Sequence, residues 1–321
     1  MTNHMQATSF PRLASIMQQA QERDANDTLS TLGMVYPCDA LSMEAADKVA
    51  RSGIARPVLL GPKALLQRAA DDAQVALDRF ECIEAPDPGA HETARHATHL
   101  ARQGVLQSLM KGSLHTDELM SAVVNKEAGL RTARRISHAF VFDLPTYHKL
   151  LALADCVVNI APDLRTKQDI LTNALGLLQA LQISNPKVGI VTAVESVNPA
   201  IPATVDANEL VKLKASGEWP GATVEGPFGF DNAISAEAAR IKKITSQVAG
   251  DPDLLLMPDL NAGNMLYKSF VYVARGECAG LVLGTSVPVV LTSRADSLLS
   301  RMSSVALAVL VSRARHRGTL T

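Results

Sequence analysis

Residues 254–264 read LLLMPDLNAGN, and this stretch decides the fold class. The apolar residues 254–257 are long enough for a buried strand, and the polar residues that follow are typical of a loop that opens a helix. The same order recurs along the chain, with apolar runs at 32–36, 57–60, 140–142, 156–160, 188–191 and 280–283. Because these short runs alternate with helical stretches, we predict an α/β fold with mostly parallel, doubly wound sheets.

The length of 321 residues predicts two domains, since one domain ordinarily holds roughly 100–200 residues. We predict a polar leader over 1–31, a first α/β domain from 32–138 plus 292–321, and a second α/β domain over 139–291. A long helix is expected over 89–111, and each apolar run is expected to form a strand. The final helix, about 295–316, would pack back on the first domain.

The charge and composition exclude several classes of partner. Lys and Arg number 31 against 32 Asp and Glu, so no overall attraction to nucleic acid or anionic lipid is expected. Aromatic residues make up 4% of the chain, too few for a base-stacking platform. No window reaches the roughly 18 apolar residues of a membrane span, and the N-terminus lacks the apolar core of a signal peptide. We therefore predict a cytoplasmic enzyme with small-molecule substrates, no nucleic-acid partner and no membrane partner.

Common cofactor and metal motifs are missing from the sequence. The four cysteines form no C-x-x-C pair, and the histidines at 91, 96 and 99 lack the H-E-x-x-H spacing of a zinc site. There is no P-loop, no G-x-G-x-x-G after a strand and no G-x-S-x-G nucleophile elbow. The sequence therefore predicts neither a metal site nor a nucleotide fingerprint.

The sharpest candidate site is the turn that follows the apolar run ending at Leu291. In an open parallel sheet, ligands bind beyond the carboxyl ends of the strands. Here Ser293, Arg294 and nearby backbone N–H groups would form an oxyanion or phosphate site at the start of a helix. The alternative is that Ser293 caps that helix and Asp296 completes the cap. The two interpretations are compatible, because a capped helix N-terminus also attracts anions.

The other candidates are polar residues and glycines that follow apolar runs, or cations in loops. Glycine lets a ligand approach the backbone closely, and a lysine or arginine can hold a phosphate. The simpler alternatives are a capped loop for the group at 259–264 and solvated surface charges for the two cations. These candidates are Asp259, Asn261, Gly263, Asn264, Gly284, Thr285, Lys111 and Arg131.

Three segments resemble the phosphate acetyl/butyryltransferase family in order and spacing: MPDLNAGNMLYK at 257–268, AGLVLG at 279–284 and VLTSRADS at 290–297. The resemblance extends over about residues 32–315. It implies reversible transfer of a short acyl group between coenzyme A and orthophosphate, with no metal or other cofactor. It also implies a homodimer of chains with two α/β domains and an active site in the interdomain cleft, similar to isocitrate and isopropylmalate dehydrogenases.

The resemblance implies roles for particular residues as well. Ser293 and its neighbouring N–H groups match the family's Ser-Arg pair and would donate to the carbonyl oxyanion. Arg294 would hold phosphate through its guanidinium fork, and Arg131 would add a second cation.

The base that deprotonates the coenzyme A thiol is less clearly assigned. In the acetyltransferase branch, an aspartate seven residues after the serine is the proposed base, and here that position is Ser300. Asp296 is the nearest carboxylate and resembles the Ser-Arg-Ala-Asp run of the butyryltransferase-like branch. Asp259 and Glu225 are the alternatives.

The leading prediction is therefore a phosphate acetyltransferase, with a phosphate butyryltransferase of the same mechanism as the first alternative. A metal- and nicotinamide-dependent decarboxylating dehydrogenase of similar fold is a remoter one, because single acids rather than an aspartate cluster follow the apolar runs. A non-catalytic coenzyme A-binding protein is the third, because the acid is missing at Ser300.

Overall fold

The computed structural model describes residues 10–22, 28–87, 89–293 and 295–319 and divides the chain into two compact units. Unit 1 combines the residues up to Ile136 with those from Ala279 onward, and unit 2 is the intervening segment Ser137–Cys278. Each unit is built around its own set of hydrogen-bonded strands.

The first part of unit 1 alternates helices with short parallel strands. Strand β1 lies between β2 and β4, and β3 continues the sheet beyond β2. All four strands run parallel, so their carboxyl ends share one edge. The elements are α1 (Pro11–Gln21), β1 (Thr31–Val35), α2 (Ala40–Ser52), β2 (Arg56–Leu60), α3 (Lys63–Asp72), a 3-10 turn (Leu77–Arg79), β3 (Glu81–Ile83), α4 (Ala90–Arg102), β4 (Ser108–Lys111) and α5 (Thr116–Val124).

Unit 2 has the strand order β5-β6-β9-β7-β8, in which β5 is antiparallel to β6 and the other neighbours are parallel. Its core includes Phe142, Leu153 and Leu255, which are fully buried. The elements are β5 (Ser137–Asp143), β6 (Leu151–Ala154), α6 (Leu164–Ala180), β7 (Lys187–Val191), α7 (Pro202–Ala215), β8 (Thr223–Phe228), α8 (Phe230–Ile234), α9 (Ala236–Ile241), β9 (Leu254–Leu256) and α10 (Leu260–Tyr272).

The chain returns to unit 1 through β10 (Glu277–Leu283), β11 (Val289–Val290) and the long helix α11 (Leu298–His316). Strand β11 pairs in parallel with β4 and antiparallel with β10. The sequence-based division assigned residues 139–291 to the second domain. The structure instead groups residues 279–291 with unit 1, where β11 pairs with β4. The predicted α/β class with mostly parallel sheets is confirmed.

The segment expected to be a polar leader contains the helix α1. Leu13, Ile16 and Ala20 are buried on one face of this helix, which packs against α11. Their spacing of three and four residues is that of an amphipathic helix, although the polar residues around them hide it in the composition. The leader residues 1–9 and 23–27 lie outside the described residues.

Two expected elements differ from the structure. The predicted helix over 89–111 ends at Arg102, because Gly104 adopts a left-handed φ of 78° and the chain continues into strand β4. The predicted strand over 156–160 is a loop, because the carboxylate of Asp155 accepts the backbone N–H groups of Val157 and Val158 at 2.8 and 3.0 Å. Backbone N–H groups that bond to one side-chain carboxylate are not available for a strand ladder. The strand in this region is β6, which ends at Ala154, before Asp155.

Candidate functional site

Two of the predicted site residues, the cation Lys111 and the hydroxyl-bearing Ser293, lie at the carboxyl edge of the unit 1 sheet. Lys111 ends β4, and the segment leading to Ser293 follows β11. The register pairs Val290 with Met110, so the chain after β11 leaves the sheet beside Lys111. The Lys111 ammonium lies close enough to lower the pKa of Asp296. This edge is the expected location of a ligand in a parallel sheet.

The loops that flank this edge are bonded to each other. The Ser113 hydroxyl donates to the Tyr36 carbonyl at 2.8 Å, and the Cys38 backbone N–H donates to the Ser113 oxygen at 3.1 Å. A Cβ at Gly112 would lie 2.6 Å from the Tyr36 carbonyl oxygen, so the two backbones meet where a side chain has no room. The loops after β1 and β4 are therefore joined, and within the loop after β4 the Lys111 ammonium donates to the Gly112 and Leu114 carbonyls at 3.1 Å each.

Hydrogen bonds join Ser293, Ala295 and Asp296 in a turn that precedes α11. The Asp296 carboxylate accepts the Ser293 backbone N–H at 2.6 Å, and the Ser293 hydroxyl oxygen accepts the Ala295 backbone N–H at 3.3 Å. The Asp296 backbone N–H donates to the Ser293 carbonyl at 3.2 Å. The N–H groups of Ser293 and Ala295 are used inside the turn, and the exposed Ser293 side chain has a hydroxyl hydrogen that a ligand can reach.

The proposed capping role of Ser293 is wrong. Helix α11 begins at Leu298, and its cap is Ser297, whose hydroxyl accepts the Ser300 backbone N–H at 3.0 Å. Ser300, at the position of the family's acid, is buried, and its carbonyl accepts from the Ser304 hydroxyl at 2.7 Å. Because Ser297 already satisfies the helix start, the turn at Ser293 is free to serve another purpose. Arg294 lies outside the described residues.

Sequence reasoning missed Arg301, which is buried with 6% of its surface exposed. Its Nη2 donates to the Ser293 carbonyl at 2.7 Å, and its Nε donates to the Asp296 carbonyl at 3.3 Å. One guanidinium thus holds both ends of the same turn. The available signal was a single charged residue within the apolar stretch of α11, which needs polar partners when it is buried.

The pKa of Asp296 is raised above its usual value. Burial of the carboxyl group is the largest cause, and the Ser293 N–H and the charges of Arg301 and Lys111 oppose it without reversing it. A carboxylate with a raised pKa is a better proton acceptor near neutral pH than an exposed aspartate. The arrangement therefore suits Asp296 to receive a proton.

A second group of candidates lies at the opposite edge of the unit 1 sheet. Gly284 and Thr285 follow β10, which runs antiparallel to β11, so they lie beside the start of β11 and not beside its end. Arg131 pairs with Thr285 in an isolated bridge, and the Gly284 carbonyl accepts from the Thr132 hydroxyl at 2.8 Å. Arg131 lines a cavity of about 430 Å³ together with Lys126. The structure thus separates Arg131, Gly284 and Thr285 from Lys111, Ser293 and Asp296.

The candidates at 259–264 lie in unit 2, at the start of α10. Asp259 caps this helix by accepting the Ala262 N–H at 3.0 Å, so the capped-loop interpretation is confirmed. The Asn264 amide donates to the Cys156 carbonyl at 3.1 Å, and a Cβ at Gly263 would lie 2.4 Å from the Asp155 carbonyl oxygen.

These contacts fix α10 against the loop that follows β6. Asn261 is exposed at the same helix end. Binding roles for the four residues stay a prediction.

The structure also contains an ion-pair cluster in unit 2 that sequence reasoning missed. Lys242 Nζ lies 3.1 Å from Glu195 Oε2 and 3.1 Å from Asp231 Oδ2. Hydrogen bonds from Lys242 lower the pKa of both carboxylates. Glu225, an alternative base, accepts hydrogen bonds from the Ser246 hydroxyl and the Gln247 N–H. The pKa of Glu195 and of Asp231 is lowered whereas that of Asp296 is raised, which makes Asp296 a stronger candidate base than either of them.

No group of three or more histidine, cysteine, aspartate or glutamate side chains within the part of the chain that the structure describes is arranged to hold a metal ion. None of the helices described there has the length and apolar character needed to cross a membrane.

Comparison with known proteins gives consistent matches. A family model described as phosphate acetyl/butaryl transferase matches residues 89–309. The phosphate acetyltransferase of Rhizobium meliloti is 46% identical over 284 residues, which are 88% of this chain and 89% of that protein. The phosphate butyryltransferase of Clostridium acetobutylicum is 39% identical over 269 residues, covering 84% and 89% of the two chains.

Solved structures agree with these matches. A branched-chain phosphotransacylase from Enterococcus faecalis V583 superposes with a TM-score of 0.77 at 28% identity, covering 88% of this chain and 99% of that one. A putative 4-hydroxythreonine-4-phosphate dehydrogenase from Salmonella typhimurium shares the fold alone, with a TM-score of 0.55 at 15% identity over 89% of this chain and 100% of that chain. The similarity to a dehydrogenase fold is in line with the predicted architecture.

Proposed function

The chain belongs to the phosphate acetyl/butaryl transferase family, and on this premise we propose that it transfers an acetyl group between coenzyme A and orthophosphate. The chain is thus an acyltransferase. A phosphate oxygen attacks the thioester carbonyl carbon, the new C–O bond forms, and the C–S bond breaks. The products are acetyl phosphate and the coenzyme A thiolate, which takes up a proton.

The observation that carries the proposal is the turn at Ser293 and Asp296 beside Lys111. An exposed hydroxyl, a carboxylate with a raised pKa and a cation meet at the carboxyl edge of a parallel sheet. The turn also lies inside the segment that the family model matches. These three groups correspond to the needs of acyl transfer, which are an oxyanion donor, a proton acceptor and a binding charge for phosphate.

In this proposal the Ser293 hydroxyl donates to the oxygen of the tetrahedral intermediate. One such donor contributes on the order of 3 kcal/mol to transition-state stabilisation in other acyl-transfer enzymes. Arg294 is assigned to phosphate by its match to the family's Ser-Arg pair, and Lys111 supplies a second charge. The family resemblance suggested a second phosphate contact from Arg131, but Arg131 lies at the other edge of the unit 1 sheet and takes no part in the site proposed at Ser293.

Asp296 is the proposed proton acceptor when coenzyme A attacks acetyl phosphate in the reverse direction. A thiol of pKa about 8.5 is mostly protonated at neutral pH, so a base or a positive field is needed to produce the thiolate. Asp296 fills the place of the acid that is missing at Ser300. Holding both substrates in one site provides the remaining acceleration through proximity, and no covalent acyl-enzyme is required.

Acetyl is favoured over butyryl because the acetyltransferase from Rhizobium meliloti is 46% identical and the butyryltransferase from Clostridium acetobutylicum is 39% identical. The test is phosphate-dependent release of free thiol from acetyl-, propionyl- and butyryl-coenzyme A in parallel assays without metal or nicotinamide. We expect release to require phosphate and to be fastest with acetyl-coenzyme A. A faster rate with butyryl-coenzyme A would establish the alternative, and no release from any of the three would contradict the proposed reaction.

The remaining parts of the proposal rest on the family resemblance. We propose that the enzyme acts as a homodimer in the cytoplasm and uses no metal or redox cofactor. Equilibrium sedimentation measures the oligomeric state, and cell fractionation measures where in the cell the enzyme is found. The thiol assay, repeated after dialysis against a chelator, measures whether activity depends on a metal.

Arg294→Ala is expected to abolish turnover without changing the thermal unfolding midpoint.

A further inference from the structure

We infer that Arg301 is a positioning residue that holds the Ser293–Asp296 turn in its reactive geometry. The inference rests on the proposed function of that turn and extends it to a residue outside the motif that carries the family resemblance. Arg301 donates to the carbonyl oxygens of Ser293 and Asp296 at 2.7 and 3.3 Å. The positioning role requires no contact between Arg301 and either substrate, because Arg301 acts through the turn.

The geometry uses the particular shape of a guanidinium. Its nitrogens form a rigid planar fork, so two carbonyl oxygens can be bound at a fixed separation. A lysine ammonium is a single point on a flexible chain and cannot reproduce that constraint. The guanidinium donates to the carbonyl oxygens of the first and last residues of the turn. Within the turn, the Asp296 carboxylate accepts the Ser293 N–H.

Burial makes the hydrogen bonds between Arg301 and the turn necessary. With 6% of its surface exposed, the Arg301 side chain has little contact with water and needs polar partners in the protein. The carbonyl groups of the turn and the neighbouring negative charge of Asp296 are what compensate it. Removing the guanidinium leaves the Asp296 carbonyl oxygen without this donor and leaves the Ser293 carbonyl oxygen with only the Asp296 backbone N–H, so the turn can relax toward other conformations.

Arg301 also affects the proton acceptor directly. Its charge is one of the causes that oppose the rise in the pKa of Asp296. Removing that charge raises the pKa further, so that a larger fraction of Asp296 is protonated at any given acidic pH. A variant that keeps the charge but loses the fork separates this electrostatic effect from the geometric one.

The experiment compares Arg301→Gln and Arg301→Lys with the wild-type chain. We expect Arg301→Gln to lower kcat by about tenfold to hundredfold while the KM for acetyl-coenzyme A changes by less than about threefold. The acidic limb of its kcat/KM profile should move to higher pH. Arg301→Lys should show an intermediate kcat with the acidic limb unmoved, because the charge remains.

Arg313→Gln is the matched control. Arg313 lies on the same helix, and its guanidinium donates to the Glu22 carbonyl at 2.8 Å, away from the turn. Its loss should leave kcat and the pH profile unchanged. Wild-type kcat in both Arg301 variants would overturn the inference, and so would an equal loss of activity in Arg313→Gln.

Amide hydrogen exchange provides a readout that does not depend on activity. In Arg301→Gln, peptides that contain residues 293–296 should exchange faster than in the wild type, with the rest of α11 unchanged. If the wild-type chain shows no acyl transfer but exchange rises as expected, the proposed function fails and the positioning role survives. Unchanged exchange in an active enzyme would overturn the positioning role alone. Should Arg301→Gln fail to fold, the same measurements on Arg301→Lys decide the question.

Discussion

The Ser293 backbone N–H and the Asp296 carboxylate are joined by a hydrogen bond of 2.6 Å. This contact holds the turn together with two further hydrogen bonds inside it and two from Arg301, and the Asp296 carboxylate lies in the field of Lys111. A residue proposed to accept a proton is therefore also the residue that shapes the site, and its protonation would weaken the turn that presents Ser293.

The first prediction concerns the charge of Asp296. Asp296→Asn should lower kcat by about a hundredfold, since a general base commonly contributes between 10² and 10⁴ in rate. The thiol-release assay measures the change. Asp163→Asn is the control, because Asp163 also accepts a backbone N–H, that of Thr166 at 2.8 Å, but does so as the cap of α6. An Asp296→Asn enzyme with the wild-type kcat would remove Asp296 from the mechanism.

The second prediction concerns pH. Burial raises the pKa of Asp296, and protonation converts the proton acceptor into an inactive acid. We therefore expect kcat/KM to fall as the pH drops through a pKa higher than that of an ordinary aspartate. The profile is measured between pH 4 and about 8 in buffers of constant ionic strength. Persistence of the same acidic limb in Asp296→Asn would assign the titration to another group.

The third prediction separates the two serines at the start of α11. Ser297→Ala should destabilise the protein by about 1 kcal/mol, because Ser297 caps the helix, and should leave kcat nearly unchanged. Ser293→Ala should lower kcat more than it raises KM and should leave stability unchanged. Urea unfolding and the thiol assay measure the two effects. The opposite pattern, with Ser293 needed for stability and Ser297 for turnover, would contradict the structure.

The fourth prediction concerns the contact between α10 and the loop after β6. Gly263→Ala would place a Cβ 2.4 Å from the Asp155 carbonyl oxygen, so it should destabilise unit 2 by about 1–3 kcal/mol. Asn264→Ala, which removes one hydrogen bond to the Cys156 carbonyl, should cost about 1 kcal/mol. Urea unfolding followed by circular dichroism measures both. A smaller loss for Gly263→Ala than for Asn264→Ala would show that the close approach is relaxed in solution.

The fifth prediction concerns the stability of unit 2 at low pH. Burial raises the pKa of Asp251, but hydrogen bonds from Lys187, Lys149 and His148 outweigh it, and the net pKa is lowered. A carboxylate with a lowered pKa in the folded state stabilises the fold above its unfolded pKa, and this stability is lost as the pH falls through the folded value.

Asp251→Asn should therefore be less stable than the wild type at pH 7, and the difference should shrink in strong acid. Urea unfolding at a series of pH values measures it. Glu237→Gln is the control, because its pair with Arg240 is exposed at 3.6 Å and should contribute little. A difference that stays constant with pH would contradict the assignment.

Local pattern was enough to predict part of the fold. The runs at 57–60 and 188–191 became β2 and β7, because a short apolar segment between polar turns is buried on both faces of a parallel sheet. It was not enough at 89–111, where the predicted helix ends at Arg102, Gly104 adopts a left-handed φ of 78° and the chain continues into β4. The apolar run at 156–160 forms a loop and not a strand, because the Asp155 carboxylate accepts the backbone N–H groups of Val157 and Val158.

The candidate site shows the same division. The turn at Ser293 could be found from its motif, because its residues are neighbours in the chain. Arg301 could not, because its partners lie five and eight residues earlier and the contact depends on how α11 is rotated. The position of Arg131 at the opposite edge from Ser293 depends on the antiparallel direction of β10, which no local pattern records.

By itself, the sequence determined the α/β class, the family and the segment that carries the candidate chemistry, because these follow from periodicity and from residues close together in the chain. Only the tertiary structure decided that Arg301 is bonded to the turn, that Lys111 lies near enough to Asp296 to lower its pKa, and that Arg131 lies at the opposite edge of the unit 1 sheet from Ser293. Each of these depends on hydrogen bonds or charges whose strength is set by distance in space and by exclusion of water. Both quantities exist only once the strands and helices have packed.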